Sequence, residues 1–336
     1  MAHVAARESL TLVRRVKNLM SNSYSVSAEI REGVEVYALC EGERARAEIA
    51  PALGNNCFAF RTRAGDVLEP VTFADFRARP TSYGIPILFP FPNRVRDGQF
   101  TFQGERYTVN PPRHGFVRDK AWRVAAHGAS AGEGAWLTST FDAAAYPAEI
   151  LGQFPFPFRL EVTYRIKNAR LHIETSAANT GARAMPAGYG IHPYFRRPAT
   201  GTLTVPARHR LELADSLPTG RLLHAADAYD LRRPADVNTL DLDDIYTSIE
   251  ADADGLARCV LDDRENGIKT TVEFPRAQFP YVVVYTPPAP RRAICVEPNT
   301  CPTDAFNLHA RGVESNLLTI AAGETVKFNL AIYTEP

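Results

Sequence analysis

No apolar run in the 336 residues approaches the roughly 20 that a membrane helix needs, and the first residues carry no apolar core of signal-peptide type. A cytoplasmic protein with no membrane partner is therefore expected. Cysteine is scarce: Cys40, Cys57, Cys259, Cys295 and Cys301 make an odd, scattered set without a CxxC, which argues against a disulfide framework and against a zinc site. Excess charge of either sign is absent too. Lys plus Arg and Asp plus Glu both number 38, so no global field draws the chain to nucleic acid. Phosphate-cradling P-loops, dinucleotide fingerprints and HExxH are missing as well, which removes the commonest kinase, dehydrogenase and metalloprotease readings.

Turn residues and short alternating runs are abundant instead. The 25 prolines and 21 glycines are spread along the chain rather than gathered at a linker, so one domain over 23–336 is expected. The basic residues Arg7, Arg14, Arg15 and Lys17 mark 1–22 as an N-terminal extension, a peripheral helix or tail. Period-two runs at 25–30, 34–39, 44–49, 57–62, 135–141, 158–166 and 170–176, each followed by Gly, Pro or Asn, predict hairpins. Helical periodicity is nearly absent after the first segment. The fold class expected is all-β, a large antiparallel β-sandwich, with 319–333 as a closing hairpin turning near 322–323.

Four stretches could carry chemistry. In Ile294-Cys295-Val296-Glu297-Pro298, Glu297 follows the β-branched run 281–286 and is expected on or just after a buried strand, with Pro298 and Pro302 taking the chain out of the sheet in a rigid loop that orients the carboxylate. In 84–98, prolines at 86, 90 and 92 exclude a helix and present Asn93 and Arg94. In Arg113-His114-Gly115-Phe116, His114 sits among cations, and Phe116 and Trp122 are large enough to wall a pocket. In Gly188-Tyr189-Gly190-Ile191-His192-Pro193, glycines allow close approach of backbone and ligand beside His192. An imidazole and a positioned carboxylate, His192 and Glu297, are natural acid and base.

In order along the chain, Pro86-Ile87-Leu88-Phe89-Pro90 with Asn93-Arg94, Gly98-x-Phe100, Gly104-x-x-Tyr107, His114-Gly115-Phe116 with Trp122, His192-Pro193-Tyr194-Phe195 and Glu297-Pro298 resemble the aldose 1-epimerase (galactose mutarotase) family over roughly 25–333. The resemblance implies a galactose-mutarotase-type sandwich, a hexose bound in a cleft across one sheet, and no cofactor or metal. It implies that Glu297 takes the proton of the anomeric hydroxyl, that His192 protonates the ring oxygen, and that His114 binds and polarises the same region. Arg94, Asn93 and Trp122 become substrate-binding residues, with Asp243 as the substrate aspartate and Asp244 as the competing choice. The sequence around His114, with Arg113, Arg118 and Lys120, also resembles the hexose-6-phosphate epimerases. A glycoside hydrolase or lyase pairing Glu297 with Asp304 or Asp243, and a sugar-binding module without turnover, are the readings from other classes. The partner expected is a small-molecule sugar; the oligomeric state is open.

Overall fold

The computed structural model describes residues 23–335, so the extension expected over 1–22 lies outside the described residues. Strands dominate, as the period-two runs predict. A nine-stranded and an eight-stranded antiparallel sheet form the two large layers, and residues 24–66 add a five-stranded sheet. In the paired strands Phe158–Lys167 and Arg170–Asn179 every second residue is buried, including Leu160, Val162, Tyr164, Leu171 and Ile173. That alternation follows from the pleat, which sends successive side chains to opposite faces.

The inner face of the eight-stranded sheet contributes Ile191, Tyr246, Val282, Val284, Ile294 and Val296 to the same apolar cluster as those residues. Tyr189 ties the layers together. Its hydroxyl lies 2.8 Å from Thr175 Oγ1 and its ring stacks on Phe328 at 4.7 Å. Each fully buried side chain of this size stabilises the fold by roughly 1.5–3 kcal/mol, and this core is what holds the opposite, outer face of the sheet flat enough to carry a site.

Two expectations are corrected. The closing segment is not a hairpin: Leu318–Ile320 pairs with Met185–Ala187, whereas Thr325–Glu335 runs between Arg170–Asn179 and Ile268–Pro275 in the nine-stranded sheet. Asn179 separates them, donating from Nδ2 to Ile320 O at 2.8 Å while its backbone bonds both Gly323 and Glu324. Two short α-helices, Phe73–Ala78 and Ala305–Ala310, also interrupt the strands. At six residues neither is long enough to show a 3.6-residue period, although Thr72, which accepts from Asp75 N at 3.1 Å, is a helix-start signal.

Candidate active site

The outer face of the eight-stranded sheet assembles the site through register. Gly190 pairs with Asn299 and Tyr194 with Cys295; with no residue inserted between, His192 stands opposite Glu297. His192 Nε2 is accordingly 3.2 Å from Glu297 Oε1. On its other flank the 192–194 backbone is fixed by His192 N donating to Pro86 O at 3.0 Å and Tyr194 N to Gly84 O at 2.9 Å. The chain does not leave the sheet at Pro298 as expected; Glu297 is on a buried strand, as the run before it predicts. It lies inside the strand Ala293–Asn299, opposite Val283, and Pro298 is paired as well. The ladder towards residues 190–196 is broken between Gly190 and Tyr194, so on that side the missing N–H of Pro298 loses no bond.

The next row on the same face reads Asp243, Tyr285, Cys295, Tyr194. Period two then decides between the two aspartates. Asp243 faces outward and meets Arg94 Nη2 at 3.4 Å, while Asp244 points to the other face and accepts from Arg210 Nη1 at 3.1 Å.

Loops zipped edge to edge supply the remaining groups. His114 N donates to Asn93 O at 2.6 Å, Val95 N to Pro112 O at 2.9 Å, and Phe116 N to Phe89 O at 2.9 Å. Asn93 and His114 both adopt left-handed backbone, φ 54° and 63°, a conformation that surrounding structure must impose on residues with a Cβ. Asp304 helps impose it: its N–H donates to Arg94 O at 2.8 Å, and its carboxylate accepts from Arg96 N at 2.9 Å and Asn307 Nδ2 at 2.7 Å. Asp304 is thus engaged with the scaffold and does not line the cleft, which removes it as a partner carboxylate for Glu297.

The glycines before His192 serve packing rather than ligand approach. A Cβ on Gly188 would stand 2.2 Å from Cys301 Sγ, and one on Gly190 would stand 1.8 Å from Asn299 Oδ1. Gly190→Ala is expected to separate the His192 and Glu297 strands and lower stability by about 1–3 kcal/mol or more, read as a drop in thermal midpoint. An unchanged midpoint would mean that the strands tolerate the spacing.

Asn93, Arg94, His114, His192, Asp243 and Glu297 together line a cavity of about 280 Å³, joined by Thr81, Ser82, Arg113, Arg118, Tyr194 and Tyr285. Trp122 is not among them. It is buried in the core, its indole N–H donates to Val117 O at 3.1 Å, and its ring packs on Phe141. Tyr285, Thr81 and Ser82 went unnoticed in the sequence; the period-two face shared with Asp243 would have pointed to Tyr285, while Thr81 and Ser82 sit in a short 3₁₀ turn with no signal. A wider depression of about 900 Å³ lies near Arg208 and Arg258, but both arginines are already ion-paired, with Glu250 and with Asp252 and Asp254.

Electrostatics set the protonation of the central pair. Glu297 is 1% exposed; burial, reinforced by the charge of Asp243 and opposed by Arg94, raises its pKa well above the ordinary carboxylate range. Burial and the cations of Arg118, Arg291 and Arg113 push His192 down to about 3. His114 is lowered in the same direction by burial, His192 and Arg118. The His192 and His114 rings meet edge to face with centroids 5.4 Å apart, and the Nδ1 atom of each is buried without a partner. Both shifts favour a proton on Glu297 over one on His192. The arrangement can deliver a proton at one oxygen of a ligand while removing one at another. Among the described residues, one group of three potential metal ligands is present, His192, Cys295 and Glu297.

Residues 59–333 match the family model described as aldose 1-epimerase. The uncharacterized protein YihR of Escherichia coli K12 is 25% identical over 256 residues, covering 73% of this chain and 77% of that protein. Among solved structures, a galactose mutarotase-like protein from Clostridium acetobutylicum superposes with a TM-score of 0.82 at 22% identity, covering 93% of this chain and 99% of the other. Galactose 1-epimerase from Lactobacillus acidophilus gives 0.75 at 16% identity, covering 93% and 99%. At these identities the two structures establish a common fold.

Proposed function

The chain belongs to the aldose 1-epimerase family, and we propose that it interconverts the α and β anomers of a hexose by opening and reclosing the ring. The observation that carries the proposal is the buried contact of 3.2 Å between His192 Nε2 and Glu297 Oε1 at the floor of a sugar-sized cavity. Opening a hemiacetal moves a proton from the anomeric oxygen to the ring oxygen. A carboxylate and an imidazolium do this together: Glu297 takes the first proton, His192 gives up the second, and the pair becomes carboxylic acid and neutral imidazole. Rotation about C1–C2 and the reverse transfers close the other anomer. The pair keeps one proton throughout, so no other reagent is consumed.

Because the free site favours the protonated acid beside the neutral imidazole, the shared proton must pass from Glu297 to His192 across their 3.2 Å contact before opening begins. Arg94, which opposes the rise of the Glu297 pKa, assists that shift. His114, neutral and facing the cavity, is a hydrogen-bonding group for the sugar, with Asn93, Arg94 and Asp243 ordering the remaining hydroxyls.

One observation favours an anionic hexose such as a hexose 6-phosphate. Arg113 and Arg118 line the cleft, yet neither guanidinium has a hydrogen bond or ion pair among the described residues, and Arg118 is partly desolvated. Unpaired guanidiniums in a cleft suit a phosphate. Anomer exchange of glucose, galactose and glucose 6-phosphate, followed by polarimetry or NMR, decides between them. Arg118→Gln is expected to raise KM for the phosphorylated sugar about ten- to hundredfold, as loss of a hydrogen bond to a charged group implies, and to leave KM for neutral sugars within about twofold. Equal effects on both would place no anion there.

The pH profile carries a second expectation. Activity requires exactly one proton on the pair, so it falls on the basic side as the pair loses that proton at the raised pKa. Asp243 holds that proton in place through its negative charge. In Asp243→Asn the proton leaves more easily, and the basic limb of kcat/KM is expected at lower pH than in the wild type; a limb that stays or moves upward would contradict the assignment.

A further inference from the structure

Scattered cysteines argue against a zinc site on spacing alone, but register brings together what spacing does not. Cys295 and Glu297 are two apart on one strand and share its outer face, and His192 stands across from Glu297. The Nε2, Sγ and carboxylate atoms all lie within 4.8 Å of one another, and all three residues are buried. A tetrahedral zinc ion with bonds of about 2.0–2.3 Å keeps its donors about 3.3–3.8 Å apart, so small rotamer adjustments close the three ligands onto one ion.

We propose that His192, Cys295 and Glu297 form a binding site for a thiophilic divalent cation of the zinc class, and that occupation of this site blocks the active centre. The donor set selects the ion: one thiolate, one imidazole and one carboxylate suit zinc, cobalt or cadmium rather than magnesium or calcium. His192 and Glu297 line the cavity, so an arriving ion meets them first, and its fourth position faces the cavity for water or a sugar hydroxyl. Cys295 lies just beneath, with Tyr194 and Tyr285 packed beside it. On binding, the S–H bond of Cys295 breaks as the metal–sulfur bond forms, and the thiol proton passes to solvent; any proton on the Glu297 carboxyl is displaced in the same way. Asp243 and Glu69 add negative charge around the site, whereas Arg291 beside the thiol, Arg94 beside Glu297 and Arg118 and Arg113 near His192 act against the ion. Inhibition follows because the metal occupies the oxygen and nitrogen that must exchange protons. The binding rests on ligand geometry alone; the inhibition rests on the epimerase reading.

Titration of the full chain with Co²⁺ separates the two. One Co²⁺ per chain is expected, with a near-ultraviolet thiolate-to-cobalt absorption band that zinc abolishes by displacement. The band should vanish in Cys295→Ala and persist in Cys301→Ala, with thermal unfolding of each variant establishing that it is folded; Cys295→Ser replaces the alanine variant if that one is not. Stoichiometric Zn²⁺ should abolish anomer exchange, a chelator should restore it, and Cys295→Ala should need at least tenfold more Zn²⁺. Absence of the band in folded wild type, or its survival in the Cys295 variant, overturns the site whether or not the protein turns over any sugar. A band with unchanged turnover in saturating Zn²⁺ overturns the inhibition alone.

Discussion

Replacing Glu297 with Gln is expected to lower kcat for anomer exchange about a hundred- to ten-thousand-fold, the range over which a positioned general acid or base acts. Gln cannot take the anomeric proton or pass one to His192. It does match the shape and neutrality of the protonated carboxyl that burial favours at this position, so the variant should fold with a thermal midpoint close to that of the wild type. Sugar binding should remain detectable, because Asn93, Arg94, His114 and Asp243 still line the cavity. A kcat within about threefold of wild type, with the fold intact, would remove Glu297 from the chemistry.

The second large effect is expected at His192, and its signature is the failure of two losses to add. His192→Ala should lower kcat by a factor in the same range. In the double variant with Glu297→Gln the loss should be close to that of the worse single variant, since the two groups share one proton and neither works without the other. Multiplicative losses would instead mean that each group acts on the sugar by an independent route. The ring of His192 also stacks on Tyr194, with centroids 4.6 Å apart and planes 17° from parallel, and Arg291 lies over the ring of that tyrosine while paired with Glu69. Removing the imidazole therefore leaves a gap among Tyr194, His114 and Tyr285, and a modest fall in thermal midpoint should accompany the kinetic loss.

Much of this was legible in the residues, and the reason differs by level. The sheets follow from alternation: a run such as 158–166 buries every second side chain whatever its partner, so local pattern is enough. The association of His192 with Glu297 rested on chemistry and on family resemblance, because the 104 positions between them carry no mark of a shared register; only the pairs Gly190–Asn299 and Tyr194–Cys295 bring them opposite. The choice between Asp243 and Asp244 was open in the sequence for the same reason. Once Asp243 is paired with Tyr285 and Tyr285 with Cys295, its face is fixed.

The errors are equally physical. Pro298 read as a strand terminator, yet a proline ends a strand only where its missing N–H is needed, and here the neighbouring ladder is broken. Trp122 read as a cleft wall because a loop aromatic near a histidine is a fair candidate, but its indole is turned into the core to satisfy Val117 O. Gly188 and Gly190 read as room for a ligand and prove to be room for Cys301 and Asn299. The closing hairpin failed because adjacency in sequence outweighed the pairing partner that Asn179 selects from afar.

Exchange of anomers at equilibrium tests the proposed ring opening most directly. Saturation-transfer NMR on equilibrated glucose, galactose and glucose 6-phosphate, with and without the protein, measures that exchange without assuming which anomer is consumed. If the protein opens and recloses the ring, exchange between the α and β anomeric protons exceeds the buffer-catalysed rate, scales with protein concentration and disappears with Glu297→Gln. Exchange at the buffer rate for every neutral and phosphorylated hexose, in a protein shown to bind one of them, would contradict the proposed ring opening.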